Sequence, residues 1–271
     1  MAKQSLPLIM EPKELEKQLG AENLLVVDVS RSEIYDQGHI PGAAHIDYAQ
    51  IIAARPPAMG ELPSEPQLSD VFSSIGMRPE NHVVAYDNEG GGRASRLLWT
   101  LDVVGHVNKS LLNGGWQAWV NDDLPISTDP VLRPRSQYPV TFLDAAVADK
   151  SYIMNHLKDP GVVILDARTQ AEYSGELKRA NRTGHIPGAV NYEWTQAIDQ
   201  ANSLRLKSAE ELRQALSQIG VTPDKEVIAY CHTHHRSAHT YIVLKNLGYT
   251  RIRGYPGSWS EWGNITETPV E

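Results

Sequence analysis

The chain has 271 residues, 41% hydrophobic and 21% charged, which is enough for two globular domains of ordinary size. Its net charge of −8 argues against nucleic acid as the main partner, because phosphate binding requires a basic surface. A single cysteine excludes an internal disulfide framework and a Cys-rich metal site. Residues 1–20 lack the apolar core of a secretory signal, and no stretch reaches the ~18 apolar residues of a membrane span, so we expect a cytoplasmic protein without membrane partners.

The first half of the chain alternates predicted helices with predicted strands. Apolar periodicity and glycine stops indicate helices over 14–20, 67–75 and 97–104 and strands over 24–29 and 83–86. The segment Gly-His-Ile-Pro-Gly-Ala lies at 38–43. Strands that alternate with helices indicate α/β architecture, a parallel sheet with helices on both faces.

The second half repeats this order. Helices are predicted over 152–157, 208–219 and 238–248, strands over 162–168 and 227–230, and Gly-His-Ile-Pro-Gly-Ala recurs at 184–189. Asp28 lies ten residues before Gly38, whereas Asp166 lies eighteen before Gly184. The second copy therefore carries eight extra residues, which we place within 176–183.

The repeat predicts the domain organisation. We expect one domain over 1–124, a linker over 125–148 and a second domain over 149–271. The linker contains four prolines between 125 and 139 in a mostly polar stretch, which predicts an extended segment on the surface.

Cys231 follows the strand 227–230 and precedes a helix, so it lies at the carboxyl end of a strand, where ligands of parallel sheets bind. Unpaired N–H groups at a helix start carry partial positive charge and favour an anion. A thiol there loses its proton more easily, and Arg236 adds a permanent cation. A lone cysteine is more often buried and inert. The strand, polar loop, arginine and helix together favour a nucleophilic thiolate.

The corresponding turn of the first copy carries Asp87, which cannot act as a sulfur nucleophile. Glu89 adds a second carboxylate that disfavours anions. Asp87 lies 29 residues before Trp116, whereas Cys231 lies 28 before Trp259, so we expect the first loop to be one residue longer. We interpret the nearby Arg93 and Arg96 as solvated residues that pair with Asp87 or Glu89, in preference to a second anion site.

These motifs resemble those of the tandem-domain rhodaneses, the thiosulfate:cyanide sulfurtransferases, over essentially the whole chain. The resemblance rests on four features: the strand-end aspartates, the two Gly-His-Ile-Pro-Gly-Ala segments, the Cys-x4-Arg turn and the Gly-Ser-Trp segment at 257–259. The loop Cys-His-Thr-His-His-Arg is most similar to that of the bacterial two-domain rhodanese of Azotobacter.

The resemblance implies two tandem rhodanese-like domains, of which only the second is catalytic. It implies that the Cys231 thiolate takes the outer sulfur of thiosulfate as a persulfide, releases sulfite, and passes the sulfur to cyanide to give thiocyanate. No metal or organic cofactor is then required. The expected partners are the small anions thiosulfate, cyanide and sulfite, with a sulfur-acceptor protein as an open possibility.

The residues after Cys231 are candidates for substrate binding. Backbone N–H groups from His232 to Ser237 would stabilise negative charge on sulfur. Arg236 either orients the sulfonate or locks the loop by bonding carbonyls, and we favour the second role. The Thr233 and Ser237 hydroxyls either donate hydrogen bonds to the site or cap the helix.

Three histidines and a tryptophan complete the candidate site. His234 and His235 either lower the thiol pKa and bind the anion, or pack the loop, whereas His232 is expected to face solvent. Trp194 either lines the mouth of the cleft or packs in the core.

Departures from the family pattern leave alternatives open. Mammalian thiosulfate enzymes carry two cations where this chain has His232 and Thr233, and they share with mercaptopyruvate sulfurtransferases an arginine where it has Glu172. A 3-mercaptopyruvate sulfurtransferase and a persulfide carrier for a partner protein therefore remain alternatives. A Cys-dependent phosphatase is less favoured, because cell-cycle phosphatases that resemble single rhodanese domains use Cys-x5-Arg.

Overall fold

A computed structural model describes residues 6–271 and divides the chain into two compact units. The first unit consists of the chain up to residue 51 with 63–142 and 199–206, and the second of 52–62, 143–198 and 207–271. Each unit thus contains a short segment from the other half of the sequence. The domain boundaries predicted at 124 and 149 stay predictions.

The strands are short and mostly apolar. In chain order they are β1 Ile9–Met10, β2 Leu24–Asp28, β3 Ala44–His45, β4 Ala53–Arg55, β5 Ala58–Glu61, β6 His82–Tyr86, β7 Lys109–Leu112, β8 Val162–Asp166, β9 Val190–Asn191, β10 Ile198–Asp199, β11 Arg205–Leu206, β12 Glu226–Tyr230 and β13 Ile252–Gly254.

The helices alternate with these strands. They are α1 Pro12–Glu16, α2 Ser32–Gln37, α3 Glu65–Ser74, α4 Gly92–Val103, α5 Gly115–Asn121, α6 Lys150–His156, α7 Gln170–Tyr173, α8 Ala209–Gln218, α9 Arg236–Asn246 and α10 Ser258–Trp262, with 3₁₀ turns at Tyr48–Ile51, Asp144–Ala146 and Trp194–Ala197. Within residues 6–271, no helix is long and apolar enough to span a membrane.

Each unit is built on one parallel sheet. The first has the strand order β1-β7-β6-β2-β3 and the second β13-β12-β8-β9, and every pairing in both sheets is parallel. Strands β2, β6, β8 and β12 are buried along nearly their whole length, as expected for strands covered by helices. The predicted α/β class, with two parallel sheets flanked by helices, is confirmed.

The two Gly-His-Ile-Pro-Gly-Ala segments are held to the sheets in the same way. Tyr86 ends β6 and Tyr230 ends β12, and each is buried. The Tyr86 hydroxyl accepts from the Ile40 N–H at 3.1 Å, and the Tyr230 hydroxyl accepts from the Ile186 N–H at 3.3 Å. The repeated segment thus folds onto the strand that leads to each functional turn.

Helix α4 begins at Gly92, earlier than the predicted 97, and α9 begins at Arg236, two residues before Ala238, where its apolar pattern starts. Their first turns carry polar and small residues, which give no apolar periodicity. Helix α8 begins with a capping box formed by Ser208 and Glu211.

The predicted linker has no helix and no extended strand between 125 and 143. It is anchored at Tyr138, which is buried and packs edge-on against Phe72 with ring centroids 5.3 Å apart. Ser69 donates a hydrogen bond to the Tyr138 carbonyl at 2.6 Å. These contacts hold the extended segment against the first unit.

Candidate active site

Cys231 begins a five-residue turn, 231–235, that joins β12 to α9 and that we call the Cys231 loop. The corresponding turn between β6 and α4, 87–91, is the Asp87 loop and also has five residues. The prediction of a longer first loop is therefore wrong. The additional residue lies in α4, which has 12 residues against 11 in α9.

The Cys231 sulfur is buried but surrounded by polar donors. The residue is 1% exposed. Its sulfur accepts hydrogen bonds from the Ser237 hydroxyl and from the N–H groups of Ser237 and Thr233. Two of the predicted backbone donors thus reach the sulfur, as does one of the predicted hydroxyls.

These contacts favour the thiolate. Burial raises the pKa of the Cys231 thiol, but the Arg236 charge and the hydrogen bonds outweigh burial, so the pKa falls from 9.0 to about 7. A large fraction of the thiol is therefore ionised at neutral pH, as a sulfur nucleophile requires.

Arg236 is fixed by a carboxylate. Its Nη1 lies 2.5 Å from Oε2 of Glu172 and its Nη2 lies 3.0 Å from Oε1, a bidentate ion pair. The expectation that Arg236 bonds loop carbonyls is replaced by this pair. Burial would raise the pKa of Glu172, but Arg236 and the Thr169 hydrogen bonds lower it to about 2.

Ser258, at the start of α10, clamps the Cys231 loop. Its Oγ accepts from the N–H of Cys231 at 3.3 Å and from the N–H of His234 at 3.2 Å, and it donates to the Tyr255 carbonyl at 2.7 Å. Ser258 has a φ of 49°, a left-handed value that is uncommon outside glycine. The Trp259 N–H also donates to the Cys231 carbonyl at 3.0 Å.

The three loop histidines have different surroundings. His234 is fully buried, and its Nδ1 lies 2.7 Å from the Ser237 Oγ. His235 is half-buried and occupies the N-cap of α9. His232, expected to face solvent, is half-buried, because its carbonyl accepts from the Ser260 N–H at 3.0 Å and draws the loop onto α10.

Trp194 lies beside these histidines and is half-buried. Its ring centroid is 6.0 Å from that of His235 and 5.2 Å from that of His239, which it meets edge-on. Burial lowers the pKa of His239 to about 3, so this imidazole is neutral. Trp194 thus packs beside the start of α9, and its role at a cleft mouth stays a prediction.

The hairpin of β4 and β5, which belongs to the second unit, also contacts the loop. The Met59 N–H donates to the Ser260 Oγ at 3.0 Å. A Cβ atom at Gly60 would lie 2.2 Å from the Thr233 carbonyl oxygen, so only glycine allows this approach.

Comparison with known protein families identifies the family of this chain. The rhodanese-like domain family matches residues 11–122 and again 149–265. The chain belongs to the rhodanese family. The predicted tandem repeat of rhodanese-like domains is thereby confirmed.

Several curated proteins are similar to this rhodanese. A thiosulfate sulfurtransferase of Pseudomonas aeruginosa is 44% identical over 266 residues, covering 98% of this chain and 97% of the relative. One of Azotobacter vinelandii is 43% identical, covering 98% of each chain, and the sulfur carrier protein TtuD of Thermus thermophilus is 34% identical, covering 88% and 86%.

Solved structures confirm the fold. The anaerobic ergothioneine biosynthesis enzyme from Chlorobium limicola, in complex with trimethyl histidine, superposes with a TM-score of 0.87 at 22% identity. The match covers 97% of this rhodanese and 70% of that chain.

In the first rhodanese repeat, the N–H groups of the Asp87 loop bind the carboxylate of Asp87 itself. The Asp87 carboxylate accepts from the N–H groups of Glu89 at 2.9 Å, Gly91 at 2.8 Å and Ala94 at 2.9 Å. Burial and the Glu89 charge raise the pKa of Asp87. The cradle that would receive a foreign anion is therefore filled by a side chain of the loop itself.

The arginines of the Asp87 loop differ from each other. Arg93 pairs with Glu89 at 3.2 Å, as expected. Arg96 was expected to be solvated, and this expectation is wrong: it is fully buried, with its guanidinium 4.7 Å from the centre of the Trp99 ring. Stacking on an aromatic ring lets a guanidinium be buried beside apolar groups.

Sequence reasoning missed Glu172, Ser258 and Gly60 as parts of the rhodanese site. Glu172 was noted only as a departure from the family pattern, and nothing local indicated that it reaches Arg236, 64 residues away. The sequence did contain one signal for Ser258, its place between Gly257 and Trp259 in a repeated segment. Among the described residues 6–271, no group of three or more His, Cys, Asp or Glu side chains is arranged to hold a metal ion.

Proposed function

We propose that this rhodanese is a thiosulfate sulfurtransferase that carries sulfur as a persulfide on Cys231. One observation carries the proposal: a buried thiol lies at the end of β12 with three hydrogen-bond donors directed at its sulfur, and these donors and the Arg236 charge lower its pKa to about 7. The thiosulfate sulfurtransferases that are 43–44% identical over nearly the whole chain support the choice of substrate.

The reaction proceeds in two displacements at sulfur. The Cys231 thiolate attacks the outer sulfur of thiosulfate, a Cys–S–S bond forms, and the bond to the sulfonate sulfur breaks. The electron pair of that bond leaves with sulfite. The carbon of cyanide then attacks the terminal sulfur, thiocyanate departs and the thiolate is restored.

The same hydrogen-bond donors stabilise negative charge on sulfur in both the thiolate and the persulfide form of Cys231. In the resting enzyme the N–H groups of Thr233 and Ser237 and the Ser237 hydroxyl stabilise the thiolate. In the persulfide the negative charge moves to the terminal sulfur, and fixed N–H dipoles at a helix start stabilise charge there without reorganising. This step uses the protein's own groups, in keeping with the proposed absence of a cofactor.

Two alternatives fit the site less well. Nη1 and Nη2 of Arg236 each bond the Glu172 carboxylate, which neutralises the positive charge that a phosphate ester would need. A mercaptopyruvate donor has no support among the relatives that are 43–44% identical, which are named thiosulfate sulfurtransferases. A protein acceptor remains compatible with catalysis, and a relative is named as a sulfur carrier. The proposed compartment is the cytoplasm, since a single free thiol suits a reducing environment.

Intact-mass analysis tests the proposal. The reduced protein is treated with thiosulfate, and a gain of one sulfur, about 32 Da, is expected on Cys231 and is reversed by cyanide. The Cys231→Ala protein gives the baseline and should gain nothing. A wild-type protein that gains no sulfur from thiosulfate, or gains it only from 3-mercaptopyruvate, would overturn the assignment of the donor.

A further inference from the structure

The Ser237 hydroxyl lies between two functional side chains. It is fully buried, it hydrogen-bonds the Cys231 sulfur, and its Oγ lies 2.7 Å from Nδ1 of His234. Helix α9 has no side-chain cap, so Ser237 is not used for capping. Its hydroxyl thus connects the loop imidazole to the sulfur.

A serine hydroxyl has one hydrogen, and this constrains the direction of both bonds. When the sulfur is a thiolate, it can only accept, so the Ser237 O–H must donate to it. The Oγ then has only lone pairs to offer His234, and a contact of 2.7 Å requires that Nδ1 carries a hydrogen and donates. The three groups form one directed chain, Nδ1–H to Oγ–H to sulfur.

We propose that His234 is a positioning residue for the Cys231 thiolate, which acts through the Ser237 hydroxyl. It fixes the hydroxyl rotor with its hydrogen toward the sulfur. Without the imidazole, the hydroxyl is free to turn its lone pairs toward the thiolate.

The backbone holds the imidazole in place for this role. His234 has a φ of 52°, a left-handed value that few residues other than glycine adopt, and its N–H donates to the Ser258 Oγ at 3.2 Å. Backbone strain at a buried residue is commonly associated with function. The conformation directs the His234 ring toward the first turn of α9, where Ser237 lies.

Other charged groups also act on the sulfur, but they do not depend on His234. Arg236 lowers the thiol pKa and is fixed by Glu172. His232 adjoins Arg236, and burial followed by the Arg236 charge lowers its pKa, so it adds little positive charge. The contribution of His234 can therefore be isolated by substitution.

The test is the ionisation of the sole thiol. Thiolate absorbance in the ultraviolet is measured against pH for the reduced protein, with the same variant carrying Cys231→Ala as the blank. Ser237→Ala should lower the thiolate-to-thiol ratio about tenfold at a given pH, since a hydrogen bond to a charged group is lost. His234→Ala should give a similar loss, and the double variant no more than either single one.

Two further variants separate positioning from packing. His234→Asn keeps an N–H near the position of Nδ1, and asparagine tolerates left-handed φ, so it should restore the wild-type titration. His234→Gln places its amide near the position of Nε2 and should not. Additive effects in the double variant, equal behaviour of Asn and Gln, or an unchanged titration of His234→Ala would each overturn the proposal.

The inference rests on the proposed use of Cys231 as the nucleophile, but the titration uses no sulfur donor. A thiol that depends on His234 yet takes no sulfur from thiosulfate would contradict the proposed function alone. A thiol that ignores His234 yet forms the persulfide would contradict this inference alone.

Discussion

The Asp87 loop and the Cys231 loop follow equivalent strands, have the same length and accept the same hydrogen bond, from α5 and α10 respectively. The Trp116 N–H donates to the Asp87 carbonyl at 2.9 Å, and the Trp259 N–H to the Cys231 carbonyl at 3.0 Å. The loops differ in what satisfies their backbone donors. A carboxylate of the loop itself does so in the first unit, whereas a thiol and the external hydroxyl of Ser258 share the task in the second.

The residue before each tryptophan illustrates the difference. Gly115 and Ser258 occupy equivalent positions and have φ values of 53° and 49°. Glycine adopts this conformation at no steric cost, and serine does not. The second unit thus retains a strained side chain where the first has none, and that side chain holds the reactive loop. Because the N–H groups of the Cys231 loop must stay available to the sulfur, the loop conformation is stabilised by Ser258, a residue outside the loop.

The largest expected effect comes from removing the thiol that distinguishes the loops. Cys231→Ala should abolish thiocyanate formation, because no other cysteine exists in the chain. Thermal unfolding should change little, since the substitution retains a small buried side chain. Activity is measured as thiocyanate formed from thiosulfate and cyanide, and turnover above a few per cent of wild type would contradict the assignment.

The next effect concerns the ion pair between Arg236, at the start of α9, and Glu172 in α7. Glu172→Gln should destabilise the protein by about 1–3 kcal/mol at neutral pH, since it leaves the Arg236 guanidinium, 20% exposed, without its carboxylate. The folded-state pKa of Glu172, about 2, lies below the ordinary 4.5. Its stabilisation is therefore complete above pH 4.5 and lost as the pH falls toward 2.

Denaturant unfolding of wild type and Glu172→Gln across this pH range measures the difference, which should narrow in acid. Glu80→Gln is the matched control, because the Arg78–Glu80 pair is exposed and its loss should cost less than about 0.5 kcal/mol. A constant difference between wild type and Glu172→Gln at all pH values would exclude the ion pair as its cause.

A smaller effect is expected from making the second unit resemble the first at the clamp. Ser258→Gly removes the acceptor of two loop N–H groups and relieves the left-handed φ, so stability should stay nearly constant while turnover falls about tenfold. Ser260→Ala provides the control, since the Ser260 Oγ bonds Gly257 and Met59 and no atom of the Cys231 loop. Equal activity losses in both variants would argue against a specific clamp.

The smallest effect is expected from the reverse exchange. Asp87→Cys in the Cys231→Ala background should gain no sulfur from thiosulfate. Gly92 stands at the helix start where the second unit has Arg236, and Glu89 opposes a thiolate. A mass gain of about 32 Da in this double variant would mean that the strand–turn–helix frame alone suffices.

Much of this fold follows from local sequence patterns. Apolar strands, glycine stops and the repeated segment predict two parallel sheets and place Cys231 at a strand end, because these signals lie within a few residues of each other. The start of α4 at Gly92 was missed, since its first turn carries polar and small residues.

The contacts that set the chemistry are not local, and sequence reasoning reached few of them. Nothing near Glu172 indicates that it pairs with Arg236, and nothing near Gly60 indicates the Thr233 carbonyl. The loop lengths were misjudged because spacing to the tryptophan cannot tell an added loop residue from an added helix residue. Side-chain directions, as for the buried Arg96, depend on packing that one sequence does not encode locally.

The reciprocal placement of short segments has a consequence for biosynthesis. The first unit includes 199–206 and the second includes 52–62. A nascent chain released from the ribosome in order cannot finish its first unit until residue 206 has emerged, although domains usually fold as they appear. Cutting the chain near residue 142 would separate β11 from the first unit and both β4 and β5 from the second, so neither fragment would contain a complete unit.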